Sequence, residues 1–240
     1  MQPKTRRLIQ LVLLAALAVA AVRLAVIFSS RRGPAPKSAT GQTARLGLPP
    51  EYYVTPKKLY LYDLKSARQE LSGKQVWVRE GYRYTFYPYD AKVRRADFQH
   101  EAGQLGPIER IGITGVVAQP APGANRQQQV LALFEKEGKA YAVPVGAQVE
   151  RDYTFYANEM FFYQDPRQLY NFWPGEIWEA ISNHQVKPGM NEFQVAFAIG
   201  MGVPEKDESN DRKIVKYPNG GKPLVITYRN GRAAEIQPGV

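Results

Sequence analysis

An α+β fold is predicted for this chain of 240 residues by three features of its pattern. An apolar run stands alone at the N-terminus, short alternating runs with turn residues fill the middle, and helical spacing gives way to two-residue alternation near the C-terminus. The predicted architecture is an N-terminal transmembrane helix, a small mostly-β barrel-like domain, and C-terminal helices packed on a three-stranded antiparallel meander. The corresponding boundaries are residues 1–37, a linker over 38–58, then 59–164 and 165–240.

Composition narrows the function classes. Hydrophobic residues make up 44% of the chain and aromatics 12%, enough to bury a sizeable core rather than leave the chain disordered. The net charge is +10, but residues 1–37 hold seven Lys or Arg and no acid, which leaves +3 for everything after Lys37. Positive charge that flanks an apolar run reports membrane topology rather than phosphate binding, so no nucleic-acid partner is expected. Cysteine is absent, which removes disulfides, thiolate metal sites, Cys nucleophiles and an acylated N-terminal Cys. With only His100 and His184 available, a zinc site would have to borrow carboxylates, and no metal or cofactor is expected.

Lys4, Arg6 and Arg7 precede a run from Leu8 to Phe28 that is interrupted only by Gln10 and Arg23 and followed by a polar stretch from Ser29 to Gly41. Such a run just spans a bilayer. The competing reading is a signal peptide cut after Ala18-Val19-Ala20, but cleavage there would leave Val22, Leu24, Val26, Ile27 and Phe28 as an exposed apolar tail. An uncleaved anchor is therefore the expectation, with Arg23 snorkelling or facing a partner. The flanking charges are balanced, Lys4, Arg6 and Arg7 against Arg31, Arg32 and Lys37, so orientation rests on the export-signal shape of the start. That shape places the chain in a bacterial inner membrane, single pass, with the folded part periplasmic. Pro49-Pro50 then forms a short extended stalk.

In the central region Asp63 caps a short helix on which Leu64, Ala67, Arg68 and Leu71 share a face, with Gly73 just past its end. Val76 and Val78 alternate with Trp77, and Tyr82, Tyr84 and Phe86 alternate with Arg83, Thr85 and Tyr87, with Gly81 marking a bulge or bend between the two strands. Ile111 to Val117 is a further strand. Val130 to Phe134 and Ala140 to Val145 form a hairpin around Glu137-Gly138, and Thr154 to Tyr163 supplies a last strand. In strand count this resembles an SH3-like or OB-like barrel. The density of aromatics from Tyr82 to Tyr89 is first of all what a small barrel needs inside. If that region holds a ligand face, Arg83, Tyr87 and Tyr89 are its candidates.

In the last third, Asp165-Pro166 starts a helix with Leu169, Tyr170 and Trp173 as its apolar stripe. Pro174 restarts a second helix carrying Ile177, Trp178, Ile181 and His184 on one face. Asn191 and Gln194 make a capping-box-like pair for a third, where Phe193, Ala196, Phe197 and Gly200 share a face. Lys213 to Tyr217, Leu224 to Arg229 and Ala233 to Ile236 then read as three strands joined at Asn219-Gly220-Gly221 and Asn230-Gly231.

The stretch Val186-Lys187-Pro188-Gly189-Met190-Asn191-Glu192-Phe193-Gln194-Val195, with Gly200, Pro204 and Val225-Ile226-Thr227-Tyr228-Arg229-Asn230-Gly231-Arg232, resembles the BamE/SmpA-like family over roughly Asp165 to Gln237. That resemblance implies two helices on a three-stranded sheet and a binding scaffold of the envelope with no chemistry attached. The chain departs from the family in lacking a lipoprotein Cys, in a longer loop from Gly200 to Pro204, and in its added central region.

Chemistry is otherwise sparse. Asp207-Glu208-Ser209-Asn210-Asp211 offers oxygens, but Arg212 stands where a calcium loop needs Gly, so a solvated acidic loop is expected. His184 reads as a packed or dipole-stabilised histidine, and Glu176 with Glu179 as a solvated pair. No catalytic residue is assigned. The functional expectation is a membrane-anchored extracytoplasmic interaction scaffold that docks onto envelope proteins, with a periplasmic glycan- or peptide-binding module as the alternative.

Overall fold

The computed structural model describes residues 48–123, 127–205 and 212–239. The apolar run Leu8 to Phe28, its basic flanks, the linker up to residue 47 and the acidic loop 207–211 lie outside the described residues. Among the described residues no helix is long and apolar enough to cross a membrane. The fold is α+β, built mostly from antiparallel strands with few helices.

The chain enters through a single 3-10 turn, Pro50–Tyr53, whose Pro presets the first dihedral. An extended segment leads to α1 (Leu64–Leu71), closed by a capping box: the Ser66 amide donates to Asp63 Oδ1 at 2.6 Å, and the Asp63 amide donates to Ser66 Oγ at 3.0 Å. Nine strands follow: β1 (Gln75–Val78), β2 (Thr85–Asp90), β3 (Arg95–Ala96), β4 (Gly103–Gln104), β5 (Arg110–Pro120), β6 (Gln127–Lys136), β7 (Lys139–Val149), β8 (Asp152–Phe155) and, after the one-turn helix α2 (Ala157–Met160), β9 (Phe161–Phe162). They pair in the order β3-β2-β7-β6-β5-β1-β9, with β4 on β2 and β8 on β7. The segment 103–112 is paired with β2 at its start and with β1 at its end, and β5 continues from it onto β6. β4, on the stretch of chain that leads into β5, thus pairs with β2, whereas β5 itself is joined to β2 by hydrogen bonding through β6 and β7.

The C-terminal part consists of α3 (Pro166–Leu169), α4 (Gly175–Ser182), α5 (Glu192–Ile199) and the strands β10 (Val203–Pro204), β11 (Arg212–Tyr217), β12 (Leu224–Arg229) and β13 (Arg232–Pro238), paired in chain order. Asn230 and Gly231 both take left-handed dihedrals, φ 51° and 71°, as a two-residue hairpin of this twist requires. The meander therefore has a fourth, two-residue strand, β10, that alternation over so short a span does not reveal.

Three local expectations are corrected. The strand expected from Tyr82 begins only at Thr85, because Tyr82 sits in a turn with φ 60°. The strand expected over Thr154 to Tyr163 is broken by α2, which sends Ala157 and Met160 into the core. On α5 the buried residues are Gln194, Val195, Phe197, Ala198 and Ile199, while Phe193 is 37% exposed. A helix enclosed on most sides has no narrow stripe to read.

Two cores result. Leu71, Val76, Val78, Phe86, Ile113, Phe134, Val143 and Met160 belong to the first, formed by α1, α2 and the nine-stranded sheet. Tyr170, Trp173, Trp178, Ile181, Phe197, Ile199, Tyr217 and Ile226 belong to the second, formed by the later helices and the four-stranded sheet. Neighbours Phe161 and Phe162 divide between them, as alternation along β9 dictates. Trp77 and Ile108, from the first part, pack against the second core.

Candidate functional site

The strand alternation that buries Val76 and Val78 turns Trp77 to the other face, towards the second core. There it lines a cleft of about 620 Å³ with Tyr82, Arg110, Arg167, Trp178 and His184. That volume lies within the range of small-ligand and short-peptide sites.

The walls are built locally. Arg110 is the register partner of Trp77 across β1 and β5, its guanidinium carbon lies 5.6 Å from the indole centroid, and its Nε donates to Gln75 Oε1 at 3.2 Å. Also lining the cleft, Asp165 caps α3 by accepting from the Arg167 amide at 2.9 Å. The Arg167 guanidinium then reaches α4, donating to Ser182 Oγ at 2.9 Å with its carbon 6.0 Å from the Trp178 centroid. Ser182 in turn donates to the Trp178 carbonyl at 2.8 Å. The cleft thus carries two arginines, each laid against a tryptophan.

Glu109 and His184 are engaged. Glu109 accepts from the Gly106 amide at 2.6 Å and from Lys136 Nζ at 2.7 Å. His184, with φ 53°, stands 3.0 Å from the Ala198 carbonyl through Nδ1. Among the described residues neither Arg110 nor Arg167 is paired with a carboxylate, although both are exposed. Guanidinium groups stay protonated and present planar forks of donors, so this arrangement is suited to holding an anion rather than moving a proton.

Tyr82 links the two parts at the edge of the cleft. A Cβ on Gly220 would lie 2.7 Å from its ring, and one on Gly200 would lie 2.7 Å from the Gly81 carbonyl oxygen. Glycine at both positions lets the turn 81–82 seat against the C-terminal part.

The ligand-face candidates from the sequence, Arg83, Tyr87 and Tyr89, lie elsewhere and are not gathered, whereas His184 lines the cleft. Arg83 is exposed on the turn before β2 and pairs with Glu80 at 2.5 Å. Tyr87 and Tyr89 are half-buried against Phe98, Ala96 and Leu131 in a small third cluster, with Tyr87 edge-on to Phe98 at 5.0 Å. Burial pushes the Tyr87 hydroxyl above its ordinary range, with the Glu101 charge adding to it. Glu176 and Glu179 are both exposed on α4. Trp77, Arg110, Arg167 and Trp178 come from four separate segments, and only the identity of Trp77 as the off-beat residue of a strand hinted at its role. Compared with known proteins, the chain matches no family model, no curated protein and no solved structure.

Proposed function

We propose that this protein is a tethered, non-catalytic interaction module of the bacterial cell envelope, whose cleft receives an acidic segment of an envelope partner protein. The observation that carries this reading is the pair of arginines without a carboxylate partner among the described residues, each laid on a tryptophan, that line one cleft. An acidic side chain entering between them gains two charge-assisted partners, and apolar groups beside it find indole faces. In this reading residues 1–37 are an inner-membrane anchor, 38–58 a linker, 59–164 a barrel-like domain and 165–240 a BamE/SmpA-like domain, with the folded part in the periplasm. The pairing of β4 with β2 just before the chain enters β5 supports an SH3-like or OB-like barrel. Helices α4 and α5 sharing one core with β11, β12 and β13 support the scaffold reading of the C-terminal third.

Two of the three tryptophans, Trp77 and Trp178, line the cleft, so intrinsic fluorescence reports its occupancy. Titration with short acidic peptides is expected to change that fluorescence at low salt and to lose the change at high salt. R110A/R167A is expected to abolish it while leaving the circular dichroism intact. An unchanged response in that double variant would overturn the assignment. Fractionation with protease accessibility tests the tether: a full-length, membrane-bound, externally cleavable protein is expected.

A further inference from the structure

The described residues contain fifteen tyrosines, and the four that are highly exposed, Tyr52, Tyr53, Tyr60 and Tyr62 at 61, 69, 87 and 73%, all fall within one stretch of eleven residues. Leu48, just before them, is 60% exposed. Between the tyrosine pairs stand Lys57 and Lys58, both exposed, and no acidic residue occurs between Glu51 and Asp63. Glu51 is itself turned inward, only 7% exposed, and Asp63 is occupied in capping α1. The outward face of this segment is thus tyrosine and lysine, with Thr55 the one other exposed side chain between Tyr52 and Tyr62.

The backbone that displays these side chains is held at several points. Leu59 is buried in the first core with Leu61 packed beside it, which by alternation turns Tyr60 and Tyr62 outward. Asn158 clamps the Leu59 peptide on both sides, accepting from its amide at 2.9 Å and donating to its carbonyl at 3.0 Å. Upstream, Glu51 Oε1 accepts from Trp173 Nε1 at 2.9 Å and from Asn191 Nδ2 at 2.5 Å, and Tyr52 lies edge-on to Phe193 at 5.5 Å. Large aromatics held out into water on an ordered backbone call for a covering surface.

We propose that the strip from Tyr52 to Tyr62 lies on the headgroup layer of an anionic lipid bilayer, holding the folded part against the membrane. The inference rests on the tether reading above. Nineteen residues separate Phe28, the end of the apolar run, from Leu48, so among the described residues the strip lies nearest that run along the chain. Tyrosine rings settle at the interface between headgroups and hydrocarbon, and lysines beside them are drawn to anionic lipid. Tethering multiplies a weak surface affinity by a high effective concentration, so four tyrosines and two lysines suffice for a lasting contact.

The chain has no cysteine, which makes a single reporter thiol clean. Full-length protein carrying Tyr62→Cys or Val93→Cys, the latter a control at a site 69% exposed, is labelled with a polarity-sensitive fluorophore and reconstituted into phosphatidylcholine–phosphatidylglycerol liposomes. The label at 62 is expected to be blue-shifted and several-fold less quenched by iodide than the label at 93. Adding Lys57→Glu and Lys58→Glu is expected to return it to water. Equal quenching at both positions in protein that floats with the liposomes would overturn the strip alone. Protein that does not float would overturn the tether, and the strip with it. Shielding at 62 that persists in lipid-free protein and depends on protein concentration would assign the strip to a second copy instead.

Discussion

Glu51 has only 7% of its surface exposed, yet its Oε1 accepts from two neutral donors, Trp173 Nε1 and Asn191 Nδ2, and among the described residues it has no cationic partner. What those donors require is an acceptor, not a charge. Replacing Glu51 with Ala strands the buried Trp173 N–H, worth about 1 to 3 kcal/mol, and a part-buried Asn191 N–H worth less, so a loss of about 2 to 4 kcal/mol is expected. Glu51→Gln keeps an acceptor oxygen and is expected to stay within about 1 kcal/mol of the parent. Urea denaturation measures both, and an E51A midpoint equal to the parent's would show that the contact contributes nothing. None of this was legible in the sequence. Glu51 falls in a stretch that reads as linker, and its partners lie 122 and 140 residues away. The same separation hid the cleft, since no local spacing joins Trp77 to Trp178 or Arg110 to Arg167.

Elements whose signals are local read well. The capping boxes at Asp63 and Asn191 lie where short-range residue types place them, because both partners sit within one turn of helix. The hairpin turns at Glu137-Gly138 and Asn230-Gly231 follow from the same local logic, since their left-handed dihedrals favour Gly and Asn at the second and first positions. The turn at Tyr82 reads poorly because a residue of strong strand preference is held at φ 60° by its fit between Gly200 and Gly220. That fit predicts a coupling between elements. Gly220→Ala adds a Cβ 2.7 Å from the Tyr82 ring at a position with φ 58°, and a loss of about 2 to 4 kcal/mol is expected. Tyr82→Ala removes the clash but not the dihedral cost. The double variant is therefore expected to be more stable than the two single losses summed, by about 1 kcal/mol or more. Gly200→Ala is expected to couple less: its Cβ would meet the Tyr82 ring at 3.1 Å but the backbone oxygen of Gly81 at 2.7 Å, and Tyr82→Ala leaves that oxygen in place. Strict additivity in the first cycle would mean that the ring does not press on Gly220.

At the scale of the whole molecule, an α+β chain with a helical pattern between two alternating regions was legible, because hydrophobic period survives without knowledge of contacts. How the cores divide their aromatics was not, and that division sets the response to alkali. Tyr217 and Tyr228 are buried side by side in the second core with their hydroxyls 2.7 Å apart, and burial drives both phenols well above the ordinary value of 10.0. Their contact with each other lowers the first and raises the second. In the first core Tyr84 is pushed up to about 12 by burial and the Glu80 carboxylate, and burial raises Tyr163 further. A group whose pKa is higher folded than unfolded contributes stability that is complete below the unfolded value and is lost as pH rises through the folded one. Above pH 10 each phenol still held neutral therefore costs about 1.4 kcal/mol per pH unit. For Tyr217 and Tyr228 alone that reaches about 5 kcal/mol two units higher, comparable to the whole stability of a small domain. The protein is thus expected to unfold cooperatively between about pH 11 and 12, with phenolate absorbance from the buried set rising together with loss of near-ultraviolet circular dichroism. Tyr217→Phe with Tyr228→Phe removes two titrating groups from the unfolded chain at little change in packing, and its midpoint is expected to move to higher pH. A midpoint that stays in place would locate the alkaline weakness in the first core, at Tyr84 and Tyr163, instead.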